Sequence, residues 1–298
     1  MFEPEIARPI AIALAVIGAI FLALGAQFQN DAVTEHHAPK QLKLKSLHIR
    51  QVLDLLRRPR WLTGSIFMAL AIICQLGALA LAPLIVVQPI GAIALIITSI
   101  LNARIYRIRL DPKTFLAIAI TMLGVAGFVL FTSTSATQVR LDDGMLLQVV
   151  GVLIAVLAVF GILFATSKGR VGPLQYIFGA GVLYGFVASL AKVVIQRIIQ
   201  GDLNWLTFLA TLALLSAAIL GGWFVQNAYA AGPPDLVIAG LTVIDPAVAV
   251  GIAIVILGEA SSAATGQVVG FGVSGLVAVL GVLMLSKVHP QLNSKQEV

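Results

Sequence analysis

Charge is scarce in this sequence: Asp, Glu, Lys and Arg make up 11% of its 298 residues, while 59% are hydrophobic. A water-soluble core of this length cannot hide that much apolar surface, so lipid is the expected solvent. With a single cysteine, Cys74, an intramolecular disulfide is excluded, and its setting in an apolar stretch suits a small packed side chain. Acidic groups are rarer than basic ones, 13 against 19. The basic residues sit in short segments between apolar runs, which speaks for orientation in a membrane and against a nucleic-acid partner. There is no G-x-x-x-x-G-K-[ST] loop, no HExxH pair and no nucleophile elbow, so an ATP-driven pump, a zinc protease and a lipid hydrolase find no support. No cofactor and no enzyme activity is expected. The amino terminus carries Glu3 and Glu5 and lacks the basic start of a signal peptide, so its first apolar run is expected to stay as a span.

What is present is a series of apolar runs, giving a mean hydropathy of +1.02. Each approaches the 20 or so residues that a helix needs to cross a hydrocarbon layer of about 30 Å. The reading is an all-α polytopic membrane protein with nine spans, near residues 9–28, 61–81, 84–101, 114–132, 145–165, 174–196, 205–231, 235–257 and 266–286. With the amino terminus outside and the carboxyl terminus inside, 15 of the 19 basic residues fall on the cytoplasmic side. Arg8, Arg140 and Arg197 remain outside and Lys192 lies within a span, the asymmetry that the positive-inside rule demands. A multi-pass protein of the cytoplasmic membrane is expected. The long basic loop 30–60 places Ile49, Val52, Leu53 and Leu56 on one helical face between Ser46, which can cap a helix, and Pro59, which ends one. It predicts a short helix on the cytoplasmic surface, with a plain basic linker as the alternative.

The spans repeat. Trp61-Leu62-Thr63 opens the second and Trp205-Leu206-Thr207 the seventh; Gln88-Pro89 in the third corresponds to Asp245-Pro246 in the eighth, and Ile17-Gly18 in the first to Tyr184-Gly185 in the sixth. Each pair is five spans apart, so the second copy crosses in the opposite direction. One transporter domain over 1–298 is predicted, with repeats near 9–132 and 174–286 joined by the fifth span. Inverted repeats characterise secondary transporters, whose halves exchange outward-open and inward-open shapes.

Residues 82–105, APLIVVQPIGAIALIITSILNARI, resemble the third span of the drug/metabolite transporter superfamily, and more closely its NIPA-type magnesium-transporter branch. Residues 172–196, GPLQYIFGAGVLYGFVASLAKVVIQ, are similar to the sixth span of that branch. The resemblance implies transport, and magnesium as one cargo. Two departures weaken magnesium: Asn102-Ala103-Arg104 stands where the branch has Asn-Glu-Arg, and Ala71-Ile72 where it has Gly-Glu. A hard cation that sheds water reluctantly wants those oxygens. A small organic metabolite therefore stays open beside a cation.

Asp245 lies in mid-span, where an ionised side chain costs about 2.5–3.5 kcal/mol on insertion scales. It is expected to bind a cation or a coupling proton, with Pro246 loosening the helix around Thr242; the plain alternative is a structural hydrogen bond. Gln88, beside Pro89, is expected to line the same cavity from the other repeat, with an interhelical hydrogen bond as the alternative. Gln75, Tyr184, Gln226 and Asn227 are further polar groups for a solute, each with a reading as interhelical glue. Lys192 is expected to snorkel to the outer interface, or else to pair with Asp245 or an anionic substrate. Glu259, in Gly258-Glu259, matches a Gly-Glu motif of the superfamily that the resemblance links to gating. Asp235 suits a helix start, and Glu35-His36-His37 lacks supporting metal ligands, so no metal site is expected. Glycines at 179, 181 and 185, and at 266, 270, 272, 275 and 281, predict close helix contacts. The bilayer is the expected surrounding and an oligomer is open. A membrane enzyme or a structural membrane subunit remains the reading of another class.

Overall fold

A computed structural model describes residues 4–34, 59–105, 112–166, 172–231 and 234–288. Among them the secondary structure is helical, with no strand. The order is α1 (Pro4–Thr34), α2 (Pro59–Leu81), α3 (Leu84–Val87), a 3-10 turn (Gln88–Gly91), α4 (Ala92–Ile105), α5 (Pro112–Ser135), α6 (Asp143–Thr166), α7 (Pro173–Gln200), α8 (Trp205–Ala231), α9 (Pro234–Val255) and α10 (Thr265–Val288). Eight helical stretches are long and apolar enough to cross a membrane, with α3, the turn and α4 counting as one. The predicted eighth span falls on α9, whose apolar stretch, Gly240–Val255, is shorter than the others. Pro59 opens α2. The expected surface helix from Ser46, the Glu35-His36-His37 cluster and the side chain of Asp235 lie outside the described residues.

Each helix end must find partners for its free backbone groups, and the sequence supplies them locally at several ends. Asp142 Oδ1 accepts from Met145 N at 2.7 Å to start α6, and Asn204 Oδ1 accepts from Leu206 N and Thr207 N at 3.0 and 3.2 Å to start α8. α7 ends at Gly201, whose φ of 78° is open to glycine, with Asp202 N bonded back to Arg197 O at 3.0 Å. Hydroxyls inside the spans turn on their own helices: Thr98, Ser99, Thr121, Thr132, Ser189 and Thr242 each donate to the carbonyl four residues earlier.

Without a hydrophobic drive between helices in lipid, close van der Waals contact decides who neighbours whom. α1 packs on α2 and α4, α7 packs on α8 and α9, and α5 packs along α10. α7 is central: 78% of its apolar stretch is buried, against 22% for α2, α6, α8 and α10. The α5–α10 seam depends on glycine, since a Cβ at Gly124 would lie 2.6 Å from Ala278 Cα and one at Gly281 would strike Thr121. Gly179, Gly181, Gly185, Gly270 and Gly275 make the predicted close contacts, whereas nothing approaches Gly266 or Gly272. α6 is held to the second half by aromatic edges: Phe160 and Phe164 meet Phe224 at centroid distances of 6.0 and 5.1 Å.

Gly124→Val should lower the stability of the detergent-solubilised protein by about 1–3 kcal/mol through overpacking of the α5–α10 seam. Gly272→Ala, which meets open space, should leave it unchanged. Thermal unfolding checks both, and equal losses would contradict the seam.

Candidate functional site

Two polar assemblies stand out in an otherwise apolar bundle, one in mid-span and one at a helix end. The first is built around Asp245 on α9. Pro246 sits inside this helix without breaking it, but its missing N–H leaves the Thr242 carbonyl without the usual helical donor. α7 approaches through its glycines: a Cβ at Gly181 would be 2.6 Å from Ile244 Cβ, and one at Gly185 would be 3.0 Å from Asp245 O. The backbones of α7 and α9 thus touch at the carboxylate. Asp245 Oδ1 is fully buried and has no hydrogen-bond partner. Tyr184, one residue before Gly185, is near enough for its phenol to feel the Asp245 charge, and its ring reaches toward Gly221 and Gly222 of α8.

Gln88 approaches from the first half of the chain. It starts the 3-10 turn at Gln88–Gly91, where Pro89 interrupts the α-helical geometry of the third span, and this turn packs against α9. Gln88 is 7% exposed, and neither its amide nor the Tyr184 hydroxyl makes a hydrogen bond to the described residues. A buried polar group left unsatisfied is costly in a low-dielectric interior, so the orphaned Asp245 Oδ1 marks a place that can receive a polar guest. The two prolines differ in effect: Pro89 turns its helix to 3-10, while α9 runs on through Pro246.

The other expected solute ligands are placed elsewhere. Gln226 is exposed on α8, and Asn227 Nδ2 donates to Trp223 O, one turn back, at 2.7 Å. Gln75 is half-buried on α2, a helix packed on α1 and α7. Among the described residues no three His, Cys, Asp or Glu side chains cluster as a metal site.

The second assembly corrects the reading of Lys192. Its side chain is buried at 3% exposure and does not snorkel; Nζ donates to Leu79 O at 2.6 Å and to Ala82 O at 2.7 Å. Nor does it bond Asp245. Glu259, 2% exposed, accepts from Leu84 N on Oε1 and from Ile85 N on Oε2, each at 2.9 Å. The cause is the Ala82-Pro83 corner. There α2 stops and α3 starts within three residues, leaving carbonyls on one side, N–H groups on the other, and no polar residue nearby to cap them. A cation on the carbonyl end and an anion on the N–H end also match the helix dipoles. The opposite charges act on one another across the corner. Gly258, with φ of 65°, makes the reversal that brings Glu259 inward.

Sequence reasoning missed two further cations at this end. Arg197, 1% exposed, binds Asp143 Oδ1 at 2.6 Å and Thr207 Oγ1 at 3.1 Å, and Arg8 donates to the carbonyls of Ser133 and Ala136 where α5 ends. Beside Arg197 a recess of about 370 Å³ opens among Arg140, Asp142, Asp143, Asp202 and Asn204. For Arg8 the available signal was the helix end: the last carbonyls of α5 have no donor in their own helix and can take a distant cation.

No protein-family model matches the chain, and no solved structure matches it. An uncharacterized protein of Corynebacterium glutamicum is 28% identical over 290 residues, which cover 93% of this chain and 95% of that one. The likeness thus runs nearly end to end in both.

Lys192→Met should destabilise the protein by about 3–5 kcal/mol, because it strips the corner's carbonyls and leaves Glu259 buried without its cation. Arg140→Ala, at an exposed site, should cost less than about 0.5 kcal/mol. Matching losses in a denaturation series would contradict the buried role of Lys192.

Proposed function

We propose that the chain is a secondary transporter that moves a small solute across the cytoplasmic membrane by alternating access, with Asp245 at the centre of its path. The observation that carries the reading is the orphaned, buried Oδ1 of Asp245 in a bilayer-crossing helix, since intramembrane ionisable groups are kept for function by default. The unspent Tyr184 hydroxyl and Gln88 amide support it, as does the 3-10 interruption at Pro89: irregular helix at membrane depth is tolerated where it lines a cavity.

The neighbour pattern supports an inverted repeat. α1 contacts α2 and the third span as α7 contacts α8 and α9, and the third span meets α5 as α9 meets α10. The matched helices run in opposite directions, and the third span and α9 touch where the halves meet. Orientation follows the basic residues, with the Glu259 end outside. Asp245 takes up a proton or a cation, and Gln88 and Tyr184 orient the solute. A carboxylate, a phenol and an amide are binding groups; the Ser189 hydroxyl nearby is occupied by Gly185 O at 2.8 Å. The reading is of a carrier, not an enzyme. The likeness of 82–105 and 172–196 to the NIPA branch favours magnesium as a second reading, and Mg²⁺ bound through one carboxylate and its own water fits a lone Asp245.

The test is uptake into proteoliposomes, with magnesium followed by an entrapped dye and organic solutes by radiolabel, with and without a pH gradient. Asp245→Asn keeps the shape and removes the charge. It should cut protein-dependent flux about tenfold or more, the weight of one lost charged contact. Undiminished flux through folded Asp245→Asn would overturn the assignment.

A further inference from the structure

The assembly at the Ala82-Pro83 corner joins the two halves of the chain. The corner belongs to the first half, and three side chains of the second half grip it: Lys192 on Leu79 O and Ala82 O, Gln196 Nε2 on Ala80 O at 3.2 Å, and Glu259 on Leu84 N and Ile85 N; Gln138, in the loop before α6, shares Ala80 O at 3.3 Å. The peptide of Glu259 adds to the grip, since its carbonyl accepts from Thr137 N at 3.0 Å and its N–H is anchored to Ala253 O at 2.9 Å. Separating the halves at this end requires the bonds of Lys192, Gln196 and Glu259 to the corner to part together.

Such a contact has two stable conditions and little between. Dry, the charged hydrogen bonds are strong and the corner's backbone has no other partner. Wet, both charges and the freed backbone groups are hydrated, so the penalty of parting falls once water has entered. That is the behaviour of a gate, closed or flooded.

The repeat sets different residues at the corresponding places of the first half. The register that pairs Ile17-Gly18 with Tyr184-Gly185 sets Gly25 opposite Lys192, and the register that pairs Gln88-Pro89 with Asp245-Pro246 sets Asn102 opposite Glu259. Neither residue carries a charge. Gly25 is instead pressed onto α2, where a Cβ would lie 2.8 Å from Met68 Cγ. We propose that Lys192, Gln196 and Glu259 form the gate of one end of the carrier, and that the resting protein is closed at this Glu259 end, where their bonds to the corner are all made. The proposal rests on the transport reading and adds its resting state.

The experiment uses the full chain with Cys74→Ser and Ile90→Cys, in cells or oriented proteoliposomes, and a membrane-impermeant maleimide on the Glu259 side. Ile90 is 2% exposed and lies beyond the corner, toward the mid-span site. Labelling should be slow in this background and at least about tenfold faster with Glu259→Gln or with the milder Gln196→Ala, as expected when a closed population shifts toward open. Gly124→Val, which disturbs the α5–α10 seam, serves as the control and should not accelerate it. Unchanged labelling in folded Glu259→Gln and Gln196→Ala would overturn the gate, and so would an equal rise in the Gly124→Val control. Labelling needs no solute, so its outcome is independent of whether flux is found.

Discussion

A backbone that turns in a buried, apolar setting must have its polar groups answered, and the Ala82-Pro83 corner answers them with a buried ammonium and a buried carboxylate from across the molecule. Much else at that end follows from this one requirement. α7 must present Lys192 inward, which fits its place as the most buried helix. The loop after α9 must reverse at Gly258 to deliver Glu259. The third span is held by its first turn, leaving its Gln88–Gly91 turn to meet α9 further in.

The two assemblies differ in a telling way. At the corner, charge and hydrogen-bond capacity match: two carbonyls for Lys192 and two N–H groups for Glu259. At Asp245 they do not, and one carboxylate oxygen is left with nothing. A satisfied buried network gives rigidity, whereas an unsatisfied one invites a ligand or a proton. The proposed division between a lock and a binding place rests on that contrast, between groups less than two turns of helix apart on α7, Gly185 and Lys192.

Much of the architecture was legible in the sequence because the bilayer imposes length and composition. The third span was readable to its first residue, Leu84, since Ala82-Pro83 marks the end of one helix and the start of the next. Asp245 and the Gln88-Pro89 pair were readable as polar interruptions of apolar runs. What was hidden is which way side chains face. Lipid-crossing helices are apolar around most of their circumference, so periodicity does not separate the exposed Gln226 from a cavity-lining residue. Lys192 was misread for a related reason. Snorkelling is decided locally, while its burial depends on a corner more than a hundred residues away in the chain. Arg197 was hidden likewise, by Asp143 at the start of α6.

The central claim is that two halves rock about Asp245 and open the two ends in alternation. Distances between paired spin labels test it most directly, in the Cys74→Ser chain. One pair, at Thr134→Cys and Leu203→Cys, spans the halves at the Glu259 end; the other, at Lys113→Cys and Ala231→Cys, spans them at the opposite end. The account predicts two populations at each end, and that Asp245→Asn, by removing the charge at the pivot, shifts the two ends in opposite directions. Distributions that do not change with Asp245→Asn, or that widen together at both ends, would contradict it.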